Sequence, residues 1–196
     1  MIPTTPRSCP LGLQWIDRLL PPLVRPDRDG RQLPGAPLTI EIGAATGVGP
    51  TAMSAFDAAL RDLGVGDANL IRLSSVIPPR STLERTTRVR KPIPWGDRLY
   101  CVYAAQHATD SGERAAAGIG WVLRDDHSGA GLFVEHEAET TEEVERLIRS
   151  SLADMTQNRP ERFGPIQLCT SETRSDGAPT CALVLAAYHT APWAGR

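Results

Sequence analysis

Gly64-Val65-Gly66-Asp67-Ala68-Asn69-Leu70-Ile71-Arg72-Leu73-Ser74-Ser75-Val76-Ile77-Pro78-Pro79 holds a helix stop, a strand and a strand stop in one short run. Gly64 is placed to end a helix, because glycine enters the left-handed conformation at a C-cap without a Cβ penalty. Asn69 to Leu73 reads as a strand that runs on into Ser74-Ser75-Val76-Ile77 and is stopped by Pro78-Pro79. Upstream, Pro50 and Thr51 open the helix that Gly64 closes near Leu63. Before that helix, the alternation of Leu38-Thr39-Ile40-Glu41-Ile42 predicts a strand.

Between strand and helix, the small residues from Gly43 to Gly49 read as a loop beside a pocket. Strand, glycine-rich turn and helix is also the layout of dinucleotide and methyl-donor sites. The rest of the pattern argues against such a site. The next strand ends in Ser74-Ser75 rather than in an acid for a ribose, no lysine follows the glycines, and the later chain lacks repeated β-α alternation.

Downstream, residues 80 to 97 read as an irregular excursion rich in Arg, Thr and Pro. Strands are predicted at Leu99 to Ala105, Ala115 to Leu123 and Gly131 to Glu137. Thr140 and Glu143 have the spacing of a capping box, and Val144, Leu147, Ile148, Leu152 and Met155 form one apolar face behind them. Ile166 to Ser171 and Thr180 to Tyr188 complete the chain as strands around a Ser175-Asp176-Gly177 turn. Two helices against six or seven strands give an α+β fold, with helices covering the outer faces of packed sheets.

The chain has 196 residues, enough for one well-filled core, and 21 Lys plus Arg balance 23 Asp plus Glu. That balance supplies no field to draw nucleic acid or an acidic membrane, and no apolar run reaches the roughly 20 residues of a spanning helix. Cys9, Cys101, Cys169 and Cys181 are scattered, without metal spacing to a histidine, as free thiols of a reducing cytoplasm would be. No metal site is expected. Residues 1–37 are proline-rich and read as an N-terminal extension with one short amphipathic run at Leu13, Trp15, Ile16, Leu19 and Leu20. Residues 38–196 form the predicted domain.

Ala55-Phe56-Asp57 at the helix centre, Gly64-x-Gly66-x-x-Asn69-Leu70 and Ser74-Ser75-x-x-Pro78-Pro79 together resemble the pyruvoyl-dependent arginine decarboxylase family. Gly131-Leu132-Phe133-Val134-Glu135-His136-Glu137 is similar to that family's second active-site strand. The resemblance implies an α/β/β/α sandwich of the pyruvoyl-dependent histidine and arginine decarboxylase type. It further implies self-cleavage between Ser74 and Ser75, which leaves a covalent pyruvoyl group derived from Ser75. Such a carbonyl captures a substrate amine and accepts electrons as carbon dioxide leaves, the role pyridoxal phosphate plays with an internal lysine. Lys91, the chain's single lysine, sits in a basic, proline-flanked loop, which disfavours the pyridoxal alternative.

By the same resemblance Asn69 is the oxyanion donor and Glu135 the proton donor. Asp57, Met53, Leu60 and Gly66 line the substrate pocket, and the partners are a small amino acid and two further copies in a homotrimer of cleaved protomers. A period of two places Glu135 and Glu137 on one strand face and His136 on the other. Glu135→Gln is therefore expected to cleave itself yet decarboxylate poorly. Arginine is the expected substrate and agmatine the product. Ser54, Met53, Asp67 and His136 depart from the family pattern, which keeps histidine or a specialised-metabolite precursor in view as substrate. A non-catalytic, unprocessed relative acting as a binding subunit is the rival from another class.

Overall fold

The computed structural model describes residues 37–193. The expected short helix around Leu13 to Leu20, and all but Pro37 of the extension, lie outside the described residues. In chain order the elements are β1 (Leu38–Val48), α1 (Ala52–Leu63), β2 (Asn69–Arg72), β3 (Val76–Ile77), β4 (Ser81–Thr86), β5 (Arg98–Ala108), β6 (Arg114–Leu123), β7 (Gly131–Ala138), α2 (Thr141–Gln157), β8 (Gln167–Arg174) and β9 (Thr180–Ala191).

The strands form a mixed five-stranded sheet, β2-β5-β9-β1-β4, and an antiparallel four-stranded sheet, β3-β7-β6-β8. Alternation along each strand sorts side chains into layers. Ile40 and Ile42 of β1, Val184, Ala186 and Tyr188 of β9, and Ile119, Trp121 and Phe133 of the second sheet fill the space between the sheets. On the outer face of the first sheet, Leu99, Cys101, Leu183 and Leu185 meet Ala55, Ala59 and Leu63 of α1. On the outer face of the second, Val122, Leu132 and Val134 meet Val144, Ile148 and Leu152 of α2. The result is the α/β/β/α sandwich, two helices enclosing two stacked sheets.

Both helices begin as their sequences direct. Thr51 caps α1 with its side chain on the Ser54 N–H, and Ser54 returns the bond to the Thr51 N–H, a capping box with serine in the usual glutamate place. Gly64 closes α1 at φ 84°. Thr140 caps α2 by accepting from the Glu143 N–H at 3.3 Å, one half of the expected capping box; the Glu143 carboxylate pairs with Arg146 instead.

Three stretches differ from expectation. The strand read from Asn69 on through Ile77 breaks after Arg72, with β2 in one sheet and β3 in the other. Gly43 to Val48 is not a loop: β1 continues through it, paired with β9 as far as Val48↔Thr180. Its small residues serve packing, because α1 lies directly on them. A Cβ on Gly47 would come 2.5 Å from the Ala59 nitrogen, and closer still to the Ala55 carbonyl oxygen. The stretch from residue 80 contains β4, a polar edge strand parallel to β1 from Leu38↔Ser81 to Gly43↔Thr86. Its alternation is masked because one side faces solvent and its apolar residues are few.

Candidate active site

The chain leaves the first sheet at Arg72, the end of β2, and enters the second at Val76, the start of β3. Leu73, Ser74 and Ser75 are the crossover. The Leu73 N–H still bonds the Cys101 carbonyl of the first sheet at 2.9 Å, whereas the Ser75 carbonyl accepts from the Phe133 N–H of the second at 2.8 Å. The peptide between Ser74 and Ser75 is thus stretched between two separately anchored ends. Ser75 has φ 62°, the left-handed region that costs a non-glycine residue on the order of 1–2 kcal/mol.

That conformation presents the Ser75 hydroxyl to the inner layer. It donates to Glu135 at 2.6 Å to Oε1 and 2.9 Å to Oε2. Glu135 lies two residues beyond Phe133 on the same inner face of β7, while His136 turns outward and bonds Ser151 of α2 at 2.8 Å. Burial pushes the Glu135 carboxyl above its ordinary value, against the opposing pull of the Ser75 hydroxyl and the Arg72 guanidinium. A carboxyl so held can take a proton from the hydroxyl when ionised and return one to a nearby carbanion when protonated.

Asn69 opens β2 beside the turn at residues 94–97. Its backbone N–H bonds the Asp97 carbonyl, and its side-chain amide donates to the Gly96 carbonyl at 2.6 Å. The same carbonyl accepts from Trp193 Nε1 at 2.8 Å. The expected oxyanion donor is therefore held by this turn in the uncleaved chain.

Asp57 and Met53 face outward on α1. Asp57 pairs with Arg61 at 2.8 Å, one helical turn on, and Met53 is 74% exposed. Leu60 belongs to the layer between α1 and the first sheet. Gly66 packs on the last turn of α1, where a Cβ would stand 3.2 Å from the Arg61 Cα. These four residues do not enclose a pocket around Ser75.

Arg72 and Tyr188 carry no sequence motif and join the site only through the fold. Arg72 lies over the Tyr103 ring at 5.0 Å, and the Tyr188 hydroxyl donates to the Val76 carbonyl at 3.1 Å. Tyr188 shares the inner face of β9 with Val184 and Ala186, and nothing local in the sequence singles out its hydroxyl. Lys91 is committed elsewhere, to the Thr39 carbonyl at 2.6 Å and to buried Glu41 at 3.3 Å. Among the described residues no group of three or more His, Cys, Asp or Glu side chains is arranged to hold a metal, and no helix is long and apolar enough to cross a membrane.

Fold and site define an α/β/β/α sandwich in which a left-handed serine between the sheets rests on a half-buried carboxyl, the hydroxyl-on-carboxylate pairing that general-base activation of a serine uses. The family model for pyruvoyl-dependent arginine decarboxylase matches residues 39–192. A protein of that name from Halobacterium salinarum is 36% identical over 151 residues, 76% of this chain and 92% of its own. Relatives of the same name from Thermococcus kodakarensis and Methanococcus vannielii are 33% and 32% identical, across 74% and 78% of this chain and 90% of each relative. Among solved structures, pyruvoyl-dependent histidine decarboxylase at pH 8 aligns over 72% of this chain and 63% of its own, with TM-score 0.40 and 15% identity. The chain belongs to the pyruvoyl-dependent arginine decarboxylase family. Its cofactor is accordingly a pyruvoyl group, and the crossover serine, with its hydroxyl on Glu135 and its carbonyl on the Phe133 N–H, fits a group made from the chain itself.

Proposed function

We propose that this chain cleaves itself between Ser74 and Ser75 and then decarboxylates arginine to agmatine. The observation that carries this reading is the Ser75 hydroxyl on the Glu135 carboxylate at 2.6 Å, in a left-handed crossover anchored on both sides.

Cleavage begins with Glu135 taking the Ser75 hydroxyl proton as the oxygen attacks the Ser74 carbonyl carbon. The peptide bond becomes an ester, and the nitrogen of residue 75 leaves as an amine with a proton. Elimination across Cα and Cβ of residue 75 then frees the Ser74 carboxylate and leaves dehydroalanine. Water converts that residue to ammonia and the pyruvoyl group. Asn69 is the proposed oxyanion donor in the attack, after its amide leaves the Gly96 carbonyl; a donor of this kind is worth about 100-fold or more.

When formed, the pyruvoyl carbonyl supplies the electron sink for decarboxylation. The chain's own part is to bind, orient and protonate. Glu135, whose partial burial raises its proton affinity, delivers a proton from its carboxyl to the carbon that has lost carbon dioxide. Asp57 offers a carboxylate to a guanidinium and exposed Met53 a wall for the aliphatic stem, while Leu60, buried beneath α1, and Gly66, packed on Arg61, shape that face from behind. The exposure of Met53 and Asp57 supports a pocket completed by another subunit, in a homotrimer of cleaved protomers. The proposed setting is the cytoplasm, with residues 1–37 as an extension to a domain spanning 38–196.

The pairing of Asp57 with Arg61 favours a second reading, in which the chemistry is the same but the substrate is another amino acid, because a carboxylate already neutralised binds a guanidinium less strongly. Two measurements test the whole reading. Intact mass of purified protein should show two chains, 1–74 and a pyruvoyl-blocked 75–196; one unbroken mass favours the unprocessed binding subunit. Carbon dioxide release from arginine, ornithine, lysine, histidine and aspartate then identifies the substrate.

A further inference from the structure

Tyr188 lies on the inner face of β9, 4% exposed, with its ring edge-on to Phe133 at 6.0 Å between centroids. The ring is accounted for by the core, where phenylalanine would fill the same volume. The hydroxyl is not: a buried phenol loses solvation unless it is hydrogen-bonded, and its bond goes to the Val76 carbonyl. Val76 follows Ser75 directly. Two successive carbonyls are thus held from opposite sheets, that of Ser75 by the Phe133 N–H of β7 and that of Val76 by Tyr188 of β9. β3 itself pairs through only two residues, Val76↔Leu132 and Ile77↔Gly131, so the ladder alone is a weak hold.

We propose that Tyr188 is a positioning residue: with the Phe133 N–H it clamps the peptide after Ser75, keeping Ser75 left-handed with its hydroxyl on Glu135. This rests on the reading of Ser75 as the cleavage serine. Once the bond to Ser74 is broken, residue 75 has no hold on its amino side, and the clamp keeps the new terminus at Glu135.

Cleavage half-times from intact-mass time courses test the clamp in Tyr188→Phe, with Ile42→Val as a control that thins the same buried layer at a position paired with neither Glu135 nor Tyr188. Tyr188→Phe should cleave about tenfold more slowly, the scale of one hydrogen bond, while melting within a few degrees of the parent. Ile42→Val should cleave at the parent rate. A second arm needs no cleavage: in the Ser75→Ala chain, adding Tyr188→Phe should speed hydrogen exchange at the Phe133 amide about tenfold and leave the amides of α2 unchanged. Parent-like cleavage with parent-like exchange overturns the clamp, as does equal slowing by Ile42→Val. A parent that never cleaves refutes the reading of Ser75, and the exchange arm then still decides whether Tyr188 holds the peptide.

Discussion

Replacing Glu135 with glutamine tests the site most directly, and the structure changes what the experiment should show. The family resemblance assigns Glu135 to turnover, so that Glu135→Gln would cleave itself and then decarboxylate poorly. Yet the Ser75 hydroxyl donates to both carboxylate oxygens, at 2.6 and 2.9 Å, before any cleavage has occurred. Glutamine keeps the shape and one acceptor oxygen, but it cannot take the hydroxyl proton. A positioned base contributes about 100- to 10,000-fold, or roughly 3–5 kcal/mol of barrier at 1.36 kcal/mol per tenfold. Self-cleavage of Glu135→Gln should therefore slow by about 100-fold or more, followed by intact mass over hours to days. The pH dependence supplies an independent check. As base, Glu135 must be ionised, so the parent's cleavage rate should rise with pH through a carboxyl value displaced upward from 4.5. As proton donor it must be protonated, so turnover by cleaved enzyme should fall as pH rises through the carboxyl's value in that state, where the Ser75 hydroxyl no longer lowers it. Burial holds the nearby Tyr188 hydroxyl above its ordinary range and pushes the Cys101 thiol up to about 12, so neither titrates in that window. Parent-rate cleavage by Glu135→Gln, or a cleavage rate indifferent to pH across the window, would refute a base role for Glu135.

Ser75→Ala should give a single uncleaved mass, because the attacking oxygen is gone; any pyruvoyl-blocked chain beginning at residue 75 contradicts the mechanism. Asp57→Asn should raise the KM for arginine about tenfold or more while cleavage proceeds normally, since the lost exposed pair with Arg61 is worth only about 0.3–0.5 kcal/mol to the helix. Equal arginine kinetics in that variant would move the guanidinium site elsewhere. Gly47→Ala should destabilise the fold by about 3 kcal/mol and lower Tm by roughly 6–12 °C, because its Cβ meets backbone of α1 that cannot rotate away. Gly43→Ala should cost less in the same melt, because its nearest obstacle is the Leu63 side-chain tip.

Much of this was legible in the residues. The run from Gly64 to Pro79 marks a helix end, a strand and its stop, though not the break at Ser74-Ser75 that carries the chain from one sheet to the other; the Thr140 cap and the apolar face behind it mark α2; and period two separates Glu135 from His136. These signals are local, so one chain segment suffices to carry them. The glycines from Gly43 to Gly49 mislead for the opposite reason: their smallness answers to α1 lying across β1, a contact no window of sequence contains. β4 stays hidden because an edge strand with a solvated face has little apolar alternation to display. The amide of Asn69 goes to the Gly96 carbonyl only because β2 pairs in parallel with β5. The site itself is the clearest case. Ser75 and Glu135 are sixty residues apart, and their bond exists because a crossover between two sheets turns one serine left-handed above a strand that faces inward. Residue types and spacing determine which groups are present and which side of a strand they take; only the stacking of the two sheets brings the hydroxyl to the carboxylate and buries that carboxylate enough to raise its proton affinity.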